Sequence, residues 1–141
     1  MLDEVVSFTF NVDGDDFSSA GAASVQVKKH LRQMGFSPEI IRRVAIAMYE
    51  GEINMVIHAN GGEARVEVTD DSIIIILADR GPGIPNVELA MQEGFSTAKE
   101  NIRSLGFGAG MGLPNMKKYC DSLKIDTVIG EGTTVTMTVN V

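Results

Sequence analysis

With a single cysteine, Cys120, in 141 residues, the chain cannot close a disulfide on itself. That suits a reducing cytoplasm, the expected location, and reads Cys120 as a structural thiol. Long apolar runs are also missing. The longest, Ile73 to Ala78, is strand-sized, well short of the roughly 18 residues that cross a membrane. The opening residues, MLDEVV, carry acid where a secretory signal carries base followed by a long apolar stretch. Positive charge is scarce: 12 Lys and Arg against 19 Asp and Glu give a formal net charge of −7. Neither nucleic acid nor an anionic membrane is therefore an expected partner. The basic pairs Lys28-Lys29, Arg42-Arg43 and Lys117-Lys118 each fit the solvated face of a helix. An acidic chain that holds a polyanion must do so through local geometry.

What is present describes an ordinary globular domain. Apolar residues make up 44% and charged residues 22%, and the length suits one domain over 1–141 with a sizeable core. VVSFTF, 5–10, alternates like a half-buried strand, and turn-like NVDGDD follows it. A helix is expected over about 17–34, ending at Gly35. Ser37-Pro38-Glu39 opens a second helix, with Ser37 as cap and Pro38 in the first turn. It should run to about Ala59 and stop at Asn60-Gly61-Gly62. Apolar residues lie almost all round it, so it should be buried against a sheet.

Strands are expected at 63–69 and 72–79, joined at Asp70-Asp71, with IIIILA apolar on both faces as a central strand. Between 80 and 112 the composition changes, with nearly half of the fifteen glycines and one short helical piece near 86–92. A helix over about 113–121 and strands near 123–128 and 133–140, turning at GEG, complete the chain. The order predicts an α+β fold: a two-layer sandwich with a mixed, mostly antiparallel sheet and helices on one face. A long, structureless segment inside a compact domain is usually a functional lid.

Three constellations carry chemistry. Glu50, Asn54 and His58 fall at i, i+4 and i+8, one stripe of the second helix. An Asn oxygen completes a magnesium shell made mostly of phosphate and water oxygens, and a carboxylate one turn away can act as general base. A solvated stripe would show the same spacing. Glu52 is a rival carboxylate at another helical angle, and a histidine near a helix end, such as His58, commonly serves as a cap or core residue.

The second constellation, DRGPGIP at 79–85, places Asp79 at the end of the buried strand. There it can accept a hydrogen bond from an exocyclic amine such as adenine N6. Gly81 and Gly83 remove Cβ atoms where a flat base would approach, although a Gly-Pro turn reads alike. The third, GFGAGMGL at 106–113, can cradle an anion on backbone N–H groups ahead of a helix N-terminus. It matches neither the dinucleotide-binding fingerprint nor the phosphate loop of Walker-type ATPases.

The ordered set Glu50-x-x-x-Asn54, DxGxGI at 79–84, GxGxGL at 108–113 and Gly130-x-Gly132-Thr133 resembles the GHKL (Bergerat-fold) ATPase family. The short chain is most similar to the bacterial anti-sigma-factor serine/threonine kinases and their switch-kinase relatives. The supporting stretches are EGEINMVIHAN, GFST at 94–97 and GAGMGLPNMKKYCDSL running into VIGEGTTVTM. The resemblance implies ATP or ADP with Mg²⁺, Asn54 on the metal and Glu50 as catalytic base. It puts Asp79, Gly83 and Thr133 at the adenine end, and counts Gly81 and Ile84 of the same DxGxGI stretch as nucleotide-binding. Gly108, Gly110 and Gly112 resemble the phosphate loop of a lid spanning about 94–112, and Ala109, Met111 and Leu113 of the same GxGxGL stretch count as nucleotide-binding.

It further implies a kinase acting on a small anti-sigma-factor antagonist domain, partnered by that domain or a sigma factor. Related regulators also pair through an amphipathic first helix and an edge strand, which would make a homodimer here. One departure stands out. An Arg that often precedes the final glycine pair in these kinases is replaced by Gly108-Ala109, and Arg103 and Lys99 lie in the lid without being placed by the motif. A nucleotide-gated protein switch with little kinase activity is the alternative.

Overall fold

A computed structural model describes residues 6–13, 21–59, 61–81, 83 and 112–141. Five strands form one sheet in the order β1-β2-β3-β5-β4. They are β1 (Val6–Asp13), β2 (Gly61–Val68), β3 (Ser72–Asp79), β4 (Ser122–Val128) and β5 (Gly132–Asn140). Among the described residues three helices, α1 (Ala22–Gln33), α2 (Pro38–Ala59) and α3 (Gly112–Tyr119), cover one face. The expected α+β sandwich is thus observed, and all four described pairings are antiparallel.

Alternation decides which face each strand turns inward. Ala64, Val66 and Val68 of β2, Ile73, Ile75 and Leu77 of β3, and Val135, Met137 and Val139 of β5 are buried beneath Val27, Leu31, Val44, Met48 and Met116 of the helices. The isoleucine run is the central strand, as its composition predicts. Its second face, with Ile74 and Ile76, is only half-buried and lies beside Thr138 and Thr136 of β5.

Boundaries differ from the sequence expectation where backbone pairing overrides local turn chemistry. β1 runs through Asn11, Val12 and Asp13, which pair with Glu63, Gly62 and Gly61. The two glycines expected only to stop α2 are already strand. A Cβ on Gly62 would collide with the Ala78 carbonyl, so glycine lets β2 lie close to β3 there. At the start of α2, Ser37 Oγ accepts the Ile40 N–H at 3.3 Å, the expected cap. α1 begins at Ala22, because Gly21 has φ +93°, outside the helical range. The short helical piece near 86–92 lies outside the described residues. No described helix is long and apolar enough to cross a membrane.

Candidate functional site

Two packing contacts set the level of α2 against the sheet. Gly51 has no side chain where a Cβ would strike Leu77 Cδ1, with Met116 Sδ 3.4 Å away. Met55 Cε lies 2.9 Å from a Cβ built on Gly62, and Gly62 pairs with Asp79. The Glu50–Asn54 stretch therefore sits at the Asp79 end of the sheet. Asn54 and Glu50 are both half-buried, so their stripe is not a fully solvated helix face.

Glu50 has a neighbour that sequence reasoning missed. Asn115, in the first turns of α3, reaches it with Nδ2 3.4 Å from Oε1. The bond is at the long end of the hydrogen-bond range. Burial pushes the Glu50 carboxyl above the ordinary 4.5, and the Asn115 amide partly offsets this by favouring the ionised form. A carboxylate moved toward neutrality is a better proton acceptor when ionised. The clue to Asn115 was a polar side chain just inside the helix that follows the glycine segment.

Asp79 terminates β3 and is half-buried. Its Oδ1 accepts two backbone N–H groups, from Gly81 at 2.9 Å and from Thr133 at 2.9 Å. The carboxylate is thereby fixed across the β3–β5 junction. Thr133 is buried, and its hydroxyl lies 2.9 Å from that of Thr127 on β4. An ionised carboxyl has about four acceptor sites, so an Asp held through Oδ1 can still accept from a ligand amine through Oδ2.

The glycines here have reasons of their own. A Cβ on Gly132, φ +141°, would collide with the Asp79 carbonyl oxygen. Gly83 has φ +84°, and its Cβ would come 2.9 Å from the Val128 carbonyl oxygen. Gly83 is thus required by its packing against the β4–β5 turn, whatever else approaches it. Gly81 is buried and donates to Asp79.

Gly112 opens α3 and Leu113 follows it. Ile84, Gly108, Ala109, Gly110 and Met111, with Lys99 and Arg103, lie outside the described residues, as does the side chain of His58. Glu52, the rival carboxylate, is 1% exposed and turned away from this end. It accepts the N–H groups of Gly21 (3.0 Å), Ala23 (3.2 Å) and Ser24 (2.6 Å). It caps α1 from a distance of about thirty residues, work that the Gly21 side of the helix cannot do for itself.

Comparison with known proteins places the fold. The model of the histidine kinase-like ATPase domain matches residues 16–139. The serine/threonine-protein kinase RsbT of Bacillus subtilis is 32% identical over 108 residues, covering 74% of this chain and 75% of that protein. An anti-sigma F factor of Caldanaerobacter subterraneus subsp. tengcongensis is 36% identical over 105 residues, covering 71% and 70%. Among solved structures, the RsbU and RsbW domains of a Mycobacterium tuberculosis protein superpose with a TM-score of 0.62 at 18% identity. That match covers 95% of this chain but 32% of the other. The mycobacterial sensor histidine kinase MprB gives a TM-score of 0.54 at 16% identity, covering 96% and 97%. These two show a shared fold. The chain belongs to the histidine kinase-like ATPase family, the GHKL family, on its anti-sigma-kinase side.

Proposed function

We propose that the chain is an ATP-binding anti-sigma-type regulator that transfers the γ-phosphoryl group of ATP to a serine or threonine hydroxyl. The acceptor is a small anti-sigma-factor antagonist domain in a partner-switching pathway. The observation that carries this reading is the Asp79 carboxylate, pinned by N–H groups of Gly81 and Thr133. That places a rigid acceptor at the end of a central strand, where an exocyclic amine can be read. The similarity to RsbT and to anti-sigma F factors supports it.

The donor set suits a magnesium nucleotide. Magnesium is usually held through one or two protein oxygens plus substrate phosphates, and the half-buried Asn54 offers one such oxygen. Bound ATP with Mg²⁺ supplies the phosphoryl group and neutralises its charge. Within the chain, Asp79 and Thr133 orient the base. Glu50, on the same helical stripe as Asn54, accepts the proton of the attacking hydroxyl, with Asn115 holding its carboxylate. The 94–112 segment, through Gly108, Ala109, Gly110, Met111 and Gly112, encloses the phosphates together with the adjoining Leu113, and Ile84 binds the nucleotide beside Gly83.

Transfer of label from γ-labelled ATP to a purified antagonist domain tests this. Wild type should label the acceptor, and Glu50→Ala should do so roughly 10²-fold or more slowly. Equal labelling by both rules out Glu50 as the base. Gly108-Ala109, standing where an Arg is common in these kinases, favours one further reading, a nucleotide-gated protein switch. Nucleotide-dependent partner binding without label transfer would establish it.

A further inference from the structure

Among the described residues, one buried acid stands outside the mechanism, and its surroundings say what it does. Glu52 is 1% exposed and stands on α2 between Glu50 and Asn54. At 3.6 residues per turn, Glu50 and Asn54 share a stripe about 40° wide, and the Tyr49–Glu52 face lies about 150° round from it. That opposite face grips one feature, the start of α1. The Glu52 carboxylate takes the N–H groups of Gly21, Ala23 and Ser24. The Tyr49 ring lies flush on Gly21, where an added Cβ would come 2.6 Å from Cε1. Ser24 Oγ closes the turn on the Gly21 carbonyl at 2.8 Å. A third face is fixed independently, by Gly51 against Leu77 and Met116 and by Met55 beside Gly62.

The consequence is rotational. A side-chain tip rides roughly 5–6 Å from the helix axis, so a 10° turn of α2 displaces the Glu50 carboxylate by about 1 Å. Misplacement on that scale costs on the order of 100-fold in a reaction that depends on alignment. Two faces held by unlike contacts, apolar on the sheet side and charge-assisted on the α1 side, resist such a turn. We infer that Glu52 is a positioning residue: by binding the first turn of α1 it fixes the rotation of α2, and with it the presentation of Glu50 to Asn115 and of Asn54 to the metal.

The first readout needs no nucleotide, so it stands apart from the kinase reading on which the second rests. In the ligand-free protein, the Asn115 side-chain amide resonances should follow the ionisation of Glu50 across its titration. In Glu52→Gln that response should fall at least twofold, because Glu50 no longer faces Asn115. Val139→Ala removes core methyls at the far end of β5 and lowers stability too, but should leave the response whole. Tyr49→Ala loosens the same grip without altering a buried charge, and it decides the matter should Glu52→Gln not fold. The second readout is calorimetry with ADP and Mg²⁺, where Glu52→Gln or Tyr49→Ala should weaken binding roughly tenfold and Val139→Ala should not. An intact Asn115 response in the grip variants, with only the melting temperature lowered, would overturn the inference. If wild type binds no nucleotide, the proposed function fails while the Asn115 response still tests the positioning role.

Discussion

Asp79 and Thr133 are 54 residues apart in sequence, yet the Thr133 N–H donates to Asp79 Oδ1 at 2.9 Å. The bond ties the end of β3 to the start of β5 and, with the Gly81 N–H on the same oxygen, orients the carboxylate. A side chain held by the backbone at one oxygen can present the other to a ligand in a fixed direction. This separates two substitutions that look alike. Asp79→Asn can keep its oxygen toward both N–H groups and turns an NH₂ group outward. Stability should change by about 1 kcal/mol or less, while affinity for ATP should fall by at least tenfold. Asp79→Ala orphans both donors and should also cost roughly 2 kcal/mol or more. Denaturant titration and calorimetry on the two variants check this, and an Asp79→Asn protein with unchanged affinity contradicts it.

Glu50 predicts a pH profile. Burial holds its proton to a higher pH than the ordinary 4.5, and a general base works only when ionised. Activity should therefore rise with pH along an acid limb that lies above the usual carboxylate range. The Asn115 amide favours the ionised form, so Asn115→Ala should move that limb to still higher pH. The check is kcat/KM against pH for both proteins. A limb that stays put, or moves down, assigns the proton transfer to another group.

Glycines at the site should differ sharply in tolerance. Gly130 has φ +82° but open space around it, whereas a Cβ on Gly132 collides with the Asp79 carbonyl and comes 3.1 Å from Arg80 Cα. Gly130→Ala should cost roughly 1–2 kcal/mol, the left-handed backbone penalty alone. Gly132→Ala has to move backbone, so it should cost about 3 kcal/mol or more, roughly 10 °C in Tm. Thermal melts of the two variants decide this; equal losses would mean the Asp79–Gly132 contact carries no steric weight.

Cys120 should be a poor nucleophile. The residue is 9% exposed, and burial, then the neighbouring Asp121, pushes the thiol pKa up from 9.0. Reaction with an aromatic disulfide reagent near pH 8 should be on the order of 100-fold slower in the native protein than in guanidinium. Rapid native modification would mark it as a reactive thiol.

Much of this was legible beforehand, and the reasons are specific. The strand at Ile73–Leu77 and the helix opened by Ser37-Pro38 declare themselves through local pattern and capping chemistry. The Glu50-x-x-x-Asn54 spacing declares a shared helical stripe. What could not be read locally rests on contacts across long sequence separations. Glu52 looked like a second carboxylate for the same site until its three bonds to the start of α1 appeared. β1 runs past the turn-like Asn11–Asp13 because β2 supplies ladder partners that the turn residues cannot announce. Gly83 suits a ligand approach on paper, yet the Val128 carbonyl already requires it. Asn115 needed α3 to be docked on α2 before it had a partner at all.

The most direct test is a calorimetric titration of the wild-type protein with ATP and then GTP, each with Mg²⁺. A carboxylate that accepts the adenine amine faces a carbonyl oxygen in guanine, which leaves polar groups unpaired. ATP should therefore bind at least tenfold more tightly than GTP, and Asp79→Asn should erase most of that preference. No heat with either nucleotide, or equal affinity for both in wild type, contradicts the site described here.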